Sequence, residues 1–283
     1  MLKLENRLSI SSWSLHRCLG PLRWTVWDNE AQNQRMEEES QPAMFELLEL
    51  PKLAREHGLS YLELCHFHFP SRDESYLREL RQAFDDTGVS FHTMLVDYGD
   101  ISSPDPVRRA SDIHYLKGWI EAAAVAGASA VRIVAGEQSG DDPHAIARSA
   151  DALRELRQYA SGAGVEVVTE NFRELTGSSV HNWSQVVERA GAADGFRTIV
   201  DFGNLPPQEK EQGVRYGAPR AHSIHAKPSY AADGTLLAEA FLAQLRIAEQ
   251  LKCEAPVSII FDRDGDMWEG IERIKRVILQ SQP

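Results

Sequence analysis

Apolar positions along this chain alternate between two periods. Stretches in which they recur every three to four residues end at a glycine, and that glycine leads straight into a short β-rich run. Gly58 precedes LSYLEL, Gly88 precedes VSFHTML, Gly127 precedes ASAVRIV, Gly164 precedes VEVVTE and Gly195 precedes FRTIVD. A glycine in this place closes a helix, and the apolar run behind it reads as a strand. Successive glycines stand 30 to 39 residues apart, the length of one strand plus one helix. Three further strand-like runs, RLSISSWSL near the start, AHSIHAKPSY at 221–230 and PVSIIFD at 256–262, bring the set to eight. Among the helical stretches 235–252 is the most regular, with Leu237, Phe241, Leu245 and Ala248 on one stripe that fits core packing.

Eight strand-helix units with no Pro, Gly or Ser-rich linker between them predict one α/β domain over residues 1–283, a (β/α)8 TIM barrel with its site at the C-terminal face of the strands. The alternative is an open doubly wound sheet. That fold usually carries a glycine-rich phosphate loop after its first strand, and ISSWSLHR has no glycine. One stretch breaks the repeat: residues 19–42 are too long for an ordinary loop after the first strand and contain Trp24, Trp27 and the acidic run 37–39. On a barrel this loop opens onto the catalytic face, where it acts either as a lid or substrate wall or as a plain surface excursion.

The composition, 42% hydrophobic and 25% charged, is that of a globular protein. A net charge of −12 argues against nucleic acid and anionic membranes as partners, and no eighteen apolar residues run together. Three widely spaced cysteines, Cys18, Cys65 and Cys253, indicate neither a disulfide framework nor a zinc ribbon. With a charged opening that does not resemble a secretory signal, they lead to the expectation of a cytoplasmic protein.

On a barrel, chemistry sits where strands end. Glu170, Asp201, His225 and Asp262 occupy the ends of four consecutive predicted strands, the fifth to the eighth. Carboxylates gathered behind apolar runs require a compensating charge, which a divalent cation supplies. Three carboxylates and one imidazole favour Mn2+ or Mg2+, with Zn2+ or Co2+ as alternatives. Other residues compete for the same face. His66 and His68 share strand parity and are candidates for substrate contact, whereas Glu63 has the opposite parity and is assigned to the outer layer. Lys227 shares the direction of His225 and can neutralise an anion. Arg132 lies inside a strand and either pairs with a carboxylate in the barrel or reaches a substrate anion. Asp97 and Asp100 read as loop caps, and Trp13 and His16 as a pocket wall.

The runs YLELCHFHFP, VDYGDIS, VTENF, VDFGN, IHAKP and IIFDRDGDMWEG resemble the xylose isomerase-like (β/α)8 superfamily of sugar phosphate isomerases and epimerases, which also contains apurinic endonucleases of the second family. The resemblance implies a metal held by Glu, Asp, His and Glu at the ends of strands five to eight, here Glu170, Asp201, His225 and Asp262. Two departures stand out. The eighth strand lacks the usual Glu, leaving Ile260 or the shorter Asp262, and many relatives have a histidine where this chain has Asn204.

The implied reaction is proton transfer next to a carbonyl through an enediolate, catalysed by a sugar or sugar phosphate isomerase or epimerase. Glu170 is the expected base and Asp262 the group that returns the proton. His66, His68, Asn204, Lys227, Arg132 and Trp13 are the expected substrate contacts. A metal-dependent lyase or dehydratase of a hydroxylated keto acid, and a non-catalytic sugar-binding barrel, are the alternatives. Phosphodiester cleavage is disfavoured by the charge and by too few ligands for a multi-metal cluster. The expected partner is a small sugar or sugar-derived molecule. Relatives are often dimers or tetramers, so a homo-oligomer, with Trp24, Trp27 or Trp268 at an interface, is a further expectation.

Overall fold

The computed structural model describes residues 3–280. The strands in chain order are β1 (Leu8–Ser11), β2 (Leu22–Asp28), β3 (Asn33–Glu39), β4 (Tyr61–Cys65), β5 (Ser90–Val96), β6 (Ala130–Ile133), β7 (Glu166–Glu170), β8 (Thr198–Asp201), β9 (Ala221–Ala226) and β10 (Val257–Ile259). Eight of them close into a parallel barrel in the order β1-β10-β9-β8-β7-β6-β5-β4. Because β1 pairs with both β4 and β10, the sheet has no edge, and the open doubly wound alternative falls away.

The helices α1 (Leu50–Glu56), α2 (Glu74–Thr87), α3 (Pro106–Ala126), α4 (Pro143–Ala163), α5 (Arg173–Gly177), α6 (Val180–Gly191), α7 (Lys210–Gly217), α8 (Ala238–Gln250) and α9 (Met267–Gln280) fill the crossovers. Local chemistry sets their ends. Asp105 and Asp142 accept the backbone N–H groups of Val107 and His144, with Pro106 and Pro143 at the first helical position of α3 and α4. All five glycines singled out in the sequence adopt positive φ, between 67° and 81°, and each turns the chain into the next strand. In α8, Phe241, Leu245 and Ala248 are buried, while Leu237 stands just before the helix and is exposed.

The segment after β1 is a β-hairpin. β2 and β3 pair antiparallel from Leu22↔Glu39 to Asp28↔Asn33. Its inner strand packs Trp24 on Phe67, with ring centroids 4.4 Å apart, and brings Trp24 within 6.5 Å of Trp13. The outer strand is almost wholly exposed.

Inside the barrel the period of two places Cys65, Leu95, Arg132, Glu170, Asp201, His225 and Ile260 around the pocket at the C-terminal end. The apolar layer between strands and helices is separate and larger. Two β-bulges break the regular register, one skipping His92 on β5 and one skipping His222 on β9. Among the described residues, no helix is long and apolar enough to cross a membrane.

Candidate metal and substrate site

At the C-terminal mouth of the barrel lies a pocket of about 300 Å3, ringed by the strand ends and by Trp13 and Trp24. On its floor Glu170, Asp201 and His225 bring one ligand atom each within 4.8 Å of one another. The barrel register accounts for this: Asp201 and His225 are directly paired across β8 and β9, and Glu170 lies opposite Ile199 on β8. Asn171 ties the first two together, because its side chain donates to Asp201 O at 2.9 Å and accepts from Asp201 N at 2.8 Å.

Each of the three side chains is anchored by one atom and presents the other to the centre. Asp201 Oδ1 accepts the backbone N–H groups of Gly203 (2.6 Å) and Asn204 (2.9 Å). Glu170 Oε2 faces Arg132 Nε at 3.1 Å. His225 Nε2 donates to Glu63 Oε2 at 2.7 Å, since a carboxylate oxygen can only accept. The remaining atoms, Asp201 Oδ2 and Glu170 Oε1, both lie 3.6 Å from His225 Nδ1. Two carboxylate oxygens and an imidazole nitrogen converge in a buried space, a donor set whose charge and chemistry suit a divalent ion. Without an ion, burial opposes protonation of His225. The carboxylates of Glu63, Glu170 and Asp201 outweigh burial and hold its proton well above the usual histidine range.

Asp262 is not brought into this trio. Its Oδ2 accepts from Lys227 Nζ at 2.6 Å at the pocket wall, and Ile260 fills the inward position before it. Burial would raise the Asp262 carboxyl, but the Lys227 ammonium prevails and holds it below the usual carboxylate range. The Lys227 stem crosses Gly203 so closely that a Cβ there would lie 2.6 Å from Lys227 Cδ. Gly203→Ala is therefore expected to cost about 1–3 kcal/mol by overpacking. Urea unfolding should show most of that loss restored in the Gly203→Ala/Lys227→Ala double variant.

Of the two roles open to it in the sequence, Arg132 takes the pairing with carboxylates inside the barrel. Its guanidinium pairs with Asp97 and with Glu170, and donates to Val96 O at 3.2 Å. Asp97 is thus a half-buried ion-pair partner lining the pocket, not a loop cap. Asp100 does cap its loop, through Ser102, Glu137 and Gln138. Asn204 lies beside the trio, its Nδ2 3.3 Å from Glu170 Oε1. Trp13 lines the pocket, and His16 stacks on its far side with centroids 4.1 Å apart.

His66 and His68 do not line this pocket. β4 ends at Cys65 and His66–His68 form a 3-10 turn, so strand parity does not govern their direction. His66 Nδ1 accepts Asp97 N–H at 3.2 Å, and His68 Nδ1 meets Ser12 Oγ at 2.8 Å. Burial above all lowers their pKa values, to about 4 and about 3.

The same strand end corrects the reading of Glu63, which is fully buried inside the barrel as the partner of His225. Arg173 was also not visible as a site residue. It holds a left-handed backbone, φ 58°, at the pocket rim and donates to Asp97 O and Glu137.

A family model described as xylose isomerase-like TIM barrel matches residues 51–271. No curated protein sequence matches the chain. Among solved structures, L-ribulose 3-epimerase is 17% identical over 98% of both chains with a TM-score of 0.66. The probable 3-DHS dehydratase of petrobactin synthesis from Bacillus anthracis is 13% identical over 98% of this chain and 100% of its own, with a TM-score of 0.68. The IOLI protein, solved with a bound zinc atom, is 14% identical over 97% of both chains, with a TM-score of 0.69. At these identities the likeness establishes the fold.

Proposed function

The chain belongs to the xylose isomerase-like TIM-barrel family, and we propose that it is a metal-dependent isomerase or epimerase of an uncharged sugar or keto sugar. The observation that carries this reading is the trio of Glu170 Oε1, Asp201 Oδ2 and His225 Nδ1, each anchored from behind and turned to one point. These residues would hold a divalent cation, with Mn2+ or Mg2+ favoured by the oxygen donors and Zn2+ or Co2+ as alternatives. When bound, the cation supplies positive charge where an enediolate develops.

The protein's own groups do the rest. Glu170 is the base that takes the proton from carbon next to the carbonyl, its carboxylate held in one orientation by Arg132. The Lys227–Asp262 pair at the pocket wall is the second proton-handling group. Asn204 and Trp13 contact substrate, and Trp24 extends the aromatic wall against which an apolar sugar face can rest.

Charge narrows the substrate. Arg132 is neutralised by Asp97 and Glu170, Arg173 by Glu137, and Lys227 by Asp262. Each cation lining the pocket therefore already has its carboxylate, a poor arrangement for a phosphate dianion.

Incubating the Mn2+-loaded protein with a panel of ketoses and keto sugars in D2O tests the proposal. Deuterium should enter at carbon next to the carbonyl, read by proton NMR. Metal bound without exchange on any sugar would favour a binding protein, and a new ultraviolet-absorbing conjugated carbonyl would favour a lyase.

A further inference from the structure

The hydrogen bonds behind His225 continue past Glu63 across the interior. Glu63 Oε1 accepts from Thr93 Oγ1 at 3.0 Å. Thr93 has then spent its only proton, so its oxygen must accept from His222 Nε2, also at 3.0 Å. The series has one possible direction: His222 donates to Thr93, Thr93 donates to Glu63, and Glu63 has its other oxygen for His225 Nε2–H. Every member is buried.

The backbone is shaped to deliver this series. On a regular β9 the ring of His222 would face away from that of His225, three residues on. The bulge at His222 turns it inward. A second bulge, at His92, places another imidazole flat against it, with centroids 4.0 Å apart and planes 3° from parallel. His92 Nε2 donates to His222 O at 3.1 Å, which secures the stack.

We infer that Thr93 and His222 are positioning residues, which hold the Glu63 carboxylate so that His225 keeps its proton on Nε2 and turns Nδ1 to the metal position. The inference rests on the proposed metal site. A partner behind a metal-binding histidine typically changes metal affinity by about 10–100-fold.

Isothermal titration of the purified chain with Mn2+ supplies the test. Thr93→Val, of the same shape but without the hydroxyl, should bind Mn2+ at least about tenfold more weakly, and Thr93→Ser should restore wild-type affinity. His222→Leu should weaken binding while His222→Gln, which keeps a donor, retains it, a comparison that stands if one variant fails to fold. In the Zn2+-loaded wild type, 15N NMR should find the His225 proton on Nε2.

Unchanged affinity in Thr93→Val and His222→Leu, or equal weakening in the paired conservative variants, would overturn the positioning role alone, whereas a proton on Nδ1 would also remove that atom from the proposed metal site. A wild-type protein that takes up neither ion would overturn the metal site and this inference with it.

Discussion

Glu170→Gln should lower turnover by about 10²–10⁴-fold, the usual contribution of a positioned general base. Exchange of the substrate proton with solvent should fall by as much. The substitution preserves shape, and the new amide oxygen can keep its place beside the Arg132 guanidinium, whose Nε now lies 3.1 Å from Glu170 Oε2. What it removes is the basic lone pair at Oε1, the atom that faces His225 Nδ1 and Asn204. Saturating Mn2+, with occupancy confirmed by elemental analysis, separates lost basicity from weakened metal binding. Wild-type exchange with metal bound would assign the base elsewhere.

The second large effect is on stability. Arg132→Met should destabilise the protein by about 3–5 kcal/mol, the cost of breaking a buried ion pair from one side. Asp97 and Glu170 both depend on this guanidinium, and the arginine and Glu170 are almost fully buried. Methionine fills much of the volume but leaves two carboxylates without their cation and Val96 O without a donor. The signature is a lower midpoint in urea with an unchanged slope. Adding Asp97→Asn should recover part of the loss, because one of the stranded charges is then gone. Equal midpoints for Arg132→Met and wild type would mean that solvent reaches these carboxylates.

The fold was legible because its determinants are local. The five helix-ending glycines, the Asp-Pro pairs opening α3 and α4 and the apolar runs behind them each act within a few residues. Glu170, Asp201 and His225 were legible for a related reason: each stands at or next to the C-terminal end of its strand, where a barrel opens its pocket. Features set by partners distant in sequence were less accessible. Glu63 was misplaced because its direction was inferred from His66, which lies beyond the end of β4 in a turn. The bulges at His92 and His222 exist only relative to the neighbouring strands, and nothing in HTML or AHSIHA marks them. Asp262 pairs with Lys227, beyond the end of the neighbouring strand, so its place outside the trio follows from packing, not spacing. The 19–42 segment was recognised as unusual, but its outer strand, NQRMEEE, is too polar to read as a strand.

That hairpin divides labour in a way that bears on how such a barrel changes over time. Trp24 reaches the pocket from an insertion between β1 and α1, whereas Glu170, Asp201 and His225 belong to the opposite half of the chain. Exchange of the ribbon for another of different length or sequence would recast the shape that a guest molecule must match and leave the reactive apparatus intact. Selectivity and reactivity are thus encoded in separate stretches of gene, free to diversify at different rates.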